Sequence, residues 1–228
     1  MAVNEPLIQT QPITVARPKI SYEDFLAHAG EDLHAEWVNG EVIVLLTAKP
    51  LHQRTLNFLN HLLDLFARFF DLGQVFIAPT QMKLSPTGAG REPDIMFVAR
   101  EHLERVLENR LDGPADLIVE IISDDSVSRD LDEKFFEYQD AGVPEYWVID
   151  PRPRRKRALF YRLDEQGQYQ SIIIGADGIY RSMSLPGFWF NVNWLWSDES
   201  PDPQMAFAEI AGFSEHTKTE LTRLRKKR

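Results

Sequence analysis

Apolar positions along the chain fall into two kinds of block. Over residues 52–72, Leu56, Leu59, Leu63, Phe66 and Phe70 recur at helical spacing, and Phe58, Leu62, Leu65 and Phe69 widen the stripe. That pattern predicts one long amphipathic helix packed on a sheet, stopped by Gly73. Residues 93–98, 117–122 and 145–150 are short, apolar and β-prone, as in strands buried on both faces. Between the last two, Asp130 and Glu133 open a helix whose Leu131, Phe135 and Tyr138 share a face, and Gly142 and Pro144 close it. Strand, helix, strand implies a right-handed crossover and a parallel pair.

The flanking segments are shorter. Ser21 with Asp24 forms a capping box that opens a helix to about residue 29. Asn39-Gly40 between β-prone flanks predicts a hairpin over 36–44. Residues 75–84 read as a strand interrupted at Pro79, 86–90 as a turn and 101–110 as a short polar helix. Residues 158–163 and 169–174 alternate as a hairpin, with 180–185 as a third strand. The aromatic block 188–196, with Trp189, Trp194 and Trp196, suits either core or an oligomer interface. The chain thus divides into an extended arm (1–20), one domain (21–198) and a basic tail (199–228) with a weakly docked helix from Ala206.

Composition narrows the options. The chain has 228 residues, 43% hydrophobic and 26% charged, a balance typical of a globular domain. The absence of Cys excludes disulfides, a thiolate nucleophile and Cys-based zinc sites. There is no leader pattern and no apolar run long enough to span a bilayer, so a cytoplasmic protein without a membrane partner is expected. A formal net charge of -10 runs against nucleic-acid binding. Even so, Arg152, Arg154, Arg155, Lys156 and Arg157 crowd one loop, and Arg223, Arg225, Lys226, Lys227 and Arg228 crowd the tail.

Glu120 stands out chemically. An ionised carboxylate inside an apolar strand must shift its pKa, pair with a cation or hold a metal. If the strand after Pro93 neighbours that of Glu120, Asp94 and Glu120 converge at one end of a sheet, an oxygen set suited to Mg²⁺ or Mn²⁺. Lys134, one turn into the following helix, leans toward the same end. Taken singly, each has a bland reading: turn chemistry for Pro93-Asp94, an edge carboxylate for Glu120, a solvated helix residue for Lys134. His52 at the long helix's start suits a cap, an exposed site or the outer shell of a substrate site, and Gln81 faces either way.

Three words then carry a resemblance: Ile118-Val119-Glu120-Ile121-Ile122-Ser123, Asp132-Glu133-Lys134, and Ala141-Gly142-Val143-Pro144-Glu145-Tyr146-Trp147-Val148-Ile149-Asp150-Pro151. From about Ser21 to about Leu195 the chain resembles the Uma-two branch of the PD-(D/E)XK nuclease superfamily. One departure stands out: the usual Lys two residues after the Glu is Ile122 here, and Lys134 would replace it from the helix. The resemblance implies an α/β, restriction-endonuclease-like fold: a mixed central sheet flanked by helices, with an added C-terminal antiparallel hairpin region. It implies Mg²⁺ or Mn²⁺ on Asp94 and Glu120, catalysis by Asp94, Glu120, Lys134 and the helper acid Glu36, DNA as substrate, and a homodimer. Alternatives from other classes are a catalytically inactive module binding nucleic acid or protein, and a hydrolase of small phosphate esters.

Overall fold

The computed structural model describes residues 19–28, 33–45, 49–123, 129–196 and 200–226. Residues 1–18 of the expected N-terminal arm and most of the loop after Ser123 lie outside them. The capping box forms: Ser21 Oγ accepts from the Asp24 amide at 3.0 Å and donates to Asp24 Oδ2 at 2.8 Å, opening α1 (Tyr22–His28). β1 (Ala35–Val38) and β2 (Glu41–Val44) form the hairpin, with Asn39 and Gly40 both at positive φ, as a tight primed turn requires.

α2 (Pro50–Phe69) buries the predicted stripe. Asp71, at φ 55°, lies at the turn that ends it, not Gly73. Gly73 instead opens β3 (Gly73–Ile77) at φ +154°, where a Cβ would lie 2.1 Å from the Val98 carbonyl oxygen. The strand expected over 75–84 is two strands in two sheets, β3 and β4 (Met82–Lys83), divided at a cis Ala78-Pro79 bond. β5 (Gly90–Arg91) and β6 (Ile95–Ala99) follow on either side of Pro93. The polar helix expected over 101–110 is a single 3₁₀ stretch, Arg100–Arg105, because β7 (Leu111–Asp112) and its isolated bridge to Val106 claim the rest.

β8 (Leu117–Ile121), a wide π turn (Arg129–Glu133), α3 (Lys134–Asp140) and β9 (Glu145–Asp150) form the expected crossover, with β8 and β9 parallel. β10 (Arg157–Leu163) and β11 (Tyr169–Ser171) form the hairpin. The third strand is displaced: β12 (Ile179–Arg181) pairs with β13 (Trp189–Asn191) in a sheet of its own. A 3₁₀ turn (Val192–Leu195), α4 (Pro203–Ile210) and α5 (Glu215–Lys226) complete the chain. The expected single, weakly docked C-terminal helix is therefore two helices, and Ala206, Phe207 and Ile210 of the first are buried in the main core.

The six-stranded sheet runs β11-β10-β9-β8-β6-β3 and the five-stranded one β2-β1-β5-β4-β7. Side chains alternate across the larger sheet. Ile95, Phe97, Leu117, Val119 and Ile121 face the core shared with α2 and α4, while Met96, Val98, Ile118 and Ile122 face the core shared with Tyr138 of α3. The aromatic block packs on the first core, where Phe188 and Phe190 surround Trp147, so no oligomer interface is needed to account for it. Among the described residues no helix is long and apolar enough to cross a membrane.

Candidate active site

The two sheets part at Pro93, which cannot donate to a ladder. Arg91 ends β5 in one sheet and Ile95 begins β6 in the other. Asp94 sits at that parting. β6 and β8 are antiparallel neighbours with Ile95 opposite Val119 and Met96 opposite Ile118. The same register sets Asp94 opposite Glu120, so the two carboxylates share a sheet face, as their order along the chain suggested. Asp94 Oδ2 accepts from the Ile121 amide at 2.7 Å, standing in for the carbonyl that β6 does not extend far enough to supply, and lies 3.2 Å from His52 Nε2.

Lys134 lies at the start of α3, and its side chain is only 4% exposed. Its Nζ is 2.9 Å from Glu120 Oε1, 3.0 Å from Glu36 Oε1 and 3.3 Å from Asp130 Oδ1. The last is an ion pair without hydrogen-bond geometry. The Tyr138 hydroxyl, one turn along, donates to Glu120 Oε1 at 2.7 Å. All four sequence-singled residues, Asp94, Glu120, Lys134 and Glu36, therefore meet at one end of the larger sheet.

Glu36 arrives from the other sheet and is fully buried. Its Oε2 accepts from Arg91 Nη1 at 2.8 Å, and Arg91 in turn forks onto Glu137 at 2.7 and 2.8 Å. Both oxygens of Glu36 thus face cations. Arg91, Asp130 and Tyr138 are participants that the sequence reading did not single out for the site. The only signal for Arg91 was its place two residues before Pro93-Asp94. Gln81 does approach: its Nε2 donates to Glu92 Oε1 at 2.7 Å, and the Glu92 amide lies 3.4 Å from Glu36 Oε1. His61 stays on the surface side of α2, bonded to the Asn57 carbonyl oxygen.

The electrostatics follow from burial and an excess of acid. Burial alone would lower the proton affinity of Lys134, but Glu120, Glu36 and Asp130 outweigh it and hold the ammonium well above its ordinary pKa. Glu120 moves upward, driven first by burial, then opposed by Lys134 and reinforced by Asp130, Asp94 and Glu36. Burial also lifts Glu92 to about 7 against its bonds to Gln81 and the Ala35 amide. For His52, desolvation is outweighed by Asp94, so its imidazole binds a proton more readily than usual. Lys134 is shared by Glu36, Glu120 and Asp130 and Arg91 by Glu36 and Glu137, while Asp94 rests on His52, so acids outnumber cations and leave a local surplus of negative charge.

That surplus, with Asp94 Oδ1 and Glu120 Oε2 carrying no hydrogen bond among the described residues, suits a hard divalent cation. No group of three or more His, Asp or Glu side chains is arranged to hold an ion among the described residues. Asp94 and Glu120 are the residues that could contribute oxygens to such an ion.

A second buried glutamate gives a contrast. Glu145 of β9 accepts from Trp147 Nε1, the Tyr180 hydroxyl, Ser182 Oγ and the amides of Met183 and Ser184, at 2.6 to 2.9 Å. Both its oxygens are saturated by neutral donors. It clasps the turn after β12 and has no capacity left for chemistry.

The architecture and the acid pair at its strand ends define a nuclease fold of the restriction-endonuclease-like class. Residues 22–193 match the model of the Uma2 family, described as "Putative restriction endonuclease", and the chain belongs to that family. Among solved structures it is similar to "a putative nuclease belonging to DUF820 from Anabaena variabilis ATCC 29413", a crystal structure at 1.96 Å resolution. The two align with a TM-score of 0.63 at 15% identity, over 78% of this chain and 97% of that one. No curated protein matches the chain.

Proposed function

We propose that the protein is a divalent-metal-dependent endonuclease that hydrolyses phosphodiester bonds in DNA. The observation that carries this reading is the register-matched pair Asp94 and Glu120 with the Lys134 ammonium 2.9 Å from Glu120. Asp94 and Glu120 would hold Mg²⁺ or Mn²⁺ through the oxygens turned away from their protein partners. The ion supplies Lewis acidity toward a phosphoryl oxygen and a lowered pKa for its bound water.

This chain's own residues do the rest. His52 and the Ile121 amide fix the Asp94 carboxylate at one angle. Tyr138 and Lys134 fix Glu120 from the other side. Lys134, charged at every working pH, offers positive potential to the charge that grows on phosphorus. Glu36 is better suited to steadying Lys134 than to holding a second ion, because Arg91 already occupies its other oxygen.

The test is cleavage of supercoiled plasmid with Mg²⁺ or Mn²⁺. Nicking and linearisation are expected in wild type, and Asp94→Asn, Glu120→Gln and Lys134→Met should each lower the rate by about 10²- to 10³-fold. Cutting that persists in all three variants, or that ignores chelation of the metal, overturns the proposal.

A further inference from the structure

β8 and β9 are parallel, with Ile121 opposite Ile149 and the Ile122 amide bonded to the Ile149 carbonyl oxygen at 2.8 Å. The Glu120 end of β8 and the Asp150 end of β9 therefore coincide, one strand spacing of about 4.8 Å apart. From there the chain enters Pro151 and returns as Arg157, which is paired opposite Asp150. The basic run 152–157 thus lies at the same end of the sheet as the candidate metal ligands.

The loop is held in shape. Asp150, fully buried, accepts from the Arg152 amide at 3.2 Å and from its guanidinium at 2.8 and 2.9 Å. The amides of Arg155 and Lys156 both bond to the Arg152 carbonyl oxygen, at 3.0 and 3.2 Å. Lys156 Nζ reaches the Trp196 carbonyl oxygen at 3.5 Å. Arg154 and Lys156 take positive φ values of 71° and 34°, which L residues adopt against a steric penalty. Arg154 and Arg155 are exposed and pair with no acid among the described residues. Arg152 is tied down by Asp150, while these two are left facing solvent.

On a chain of net charge -10, most of the surface repels a polyanion. The other basic run, in α5, is already engaged: Arg225 pairs with Asp202 and Arg223 with Glu220, each at 3.4 Å.

We propose that the loop after β9 is the DNA-gripping element of the site, with Arg154 and Arg155 each neutralising a backbone phosphate next to the scissile bond. This rests on the nuclease reading and adds to it where the substrate is held. The test is fluorescence anisotropy of a labelled DNA duplex over a salt series, in an Asp94→Asn background that prevents turnover. Arg154→Ala with Arg155→Ala should reduce the slope of log K against log salt by about 1.8, the value for two lost phosphate contacts, and weaken binding roughly tenfold. Arg154→Lys with Arg155→Lys should keep most of the slope, and Arg223→Ala with Arg225→Ala in α5 should leave it unchanged.

An unchanged slope in the loop variant, or an equal fall in the α5 variant, overturns the assignment. So does loop-dependent binding that favours RNA or an acidic protein over DNA. The nuclease reading is judged separately, by metal-dependent cutting in the unsubstituted protein. Cutting with an intact slope in the loop variant defeats only the loop, whereas a lowered slope without cutting defeats only the chemistry.

Discussion

Replacing Lys134 by methionine keeps an unbranched stem in a buried slot but removes the ammonium that Glu120, Glu36 and Asp130 share at 2.9, 3.0 and 3.3 Å. Deleting one partner of a buried ion pair typically costs about 3–5 kcal/mol, because the other is left uncompensated. Here Arg91 still holds Glu36, and Tyr138 still donates to Glu120. The lower end, about 3 kcal/mol near neutral pH, is therefore the expectation. The loss should also depend on pH. Without the cation, burial and the neighbouring acids push Glu120 further above its unfolded value than the upward shift it already has. A carboxyl whose folded pKa is raised contributes stability that is complete below its unfolded pKa and is lost as pH rises through the folded one. The deficit of Lys134→Met is thus smallest near pH 5 and largest near pH 8. The lysine's own contribution in wild type is complete throughout this window, since its raised pKa lies above 10.5. Urea unfolding of both proteins at several pH values, followed by fluorescence of the buried Trp147, measures the difference. Growth of the deficit by at least about 1.4 kcal/mol across the window, the worth of one pKa unit on one group, is expected. A deficit that stays flat with pH would refute the claim that Lys134 compensates these acids.

Three further expectations follow from the same network and its scaffold. Mg²⁺ should raise the melting temperature of wild type but not of Asp94→Asn; ion at about ten times its Kd adds about 1.4 kcal/mol to the folded state, and an equal rise in both proteins would place the ion elsewhere. Arg91→Lys keeps a charge but not the fork that reaches Glu36 and Glu137 together, so denaturation should show a loss of about 1.5–3 kcal/mol, and full stability would mean the fork is dispensable. Gly73→Ala forces a Cβ against the Val98 carbonyl oxygen at a φ that disfavours L residues, and a melting curve within error of wild type would contradict that close approach.

The parts of the site legible in the sequence were those where charge interrupts an apolar pattern. Glu120 inside β8 and Asp94 at the head of β6 qualify on that ground, and Lys134 follows from the helical spacing around Leu131, Phe135 and Tyr138. Arg91 and Asp130 were not legible because each has an ordinary local explanation, a charged turn and a helix-start acid. Arg91 acts through a contact 55 positions away that no periodicity reports, and the i,i+4 spacing of Asp130 to Lys134 marks a helix neighbour without marking a site. The smaller sheet was hidden for a different reason. β4, β5 and β7 have two residues each, too few for alternation to register, and β3 and β4 read as one strand because sequence does not say which sheet a segment joins. α4 was not told apart from α5 because only Ala206, Phe207, Ala208 and Ile210 mark its buried face, and its packing on Phe69 depends on the far end of α2.

Sequence alone also leaves one ambiguity that the donor inventory resolves. Glu120 and Glu145 are both acids in buried core strands, yet their neutral isosteres should behave in opposite ways. Glu145 receives five donors. An amide there offers one acceptor oxygen and turns an NH₂ group toward donors, so Glu145→Gln should lose several of those bonds and about 2–4 kcal/mol, at roughly 1–3 kcal/mol for each buried group left unpaired. Glu120 receives donors on Oε1 alone and sits in a surplus of negative charge. The amide oxygen of Glu120→Gln can keep both Tyr138 and Lys134 while removing one of the repelling charges. In metal-free buffer that variant should unfold no more easily than wild type, and more stably above neutral pH, while losing the stabilisation by Mg²⁺. A protein that gives up stability to hold a charge at one position, and gains it from a charge at the other, has a working site at the first and a structural clasp at the second. Equal losses from the two substitutions in metal-free buffer would mean that Glu120 is a clasp as well, and would remove the physical reason for a cation there.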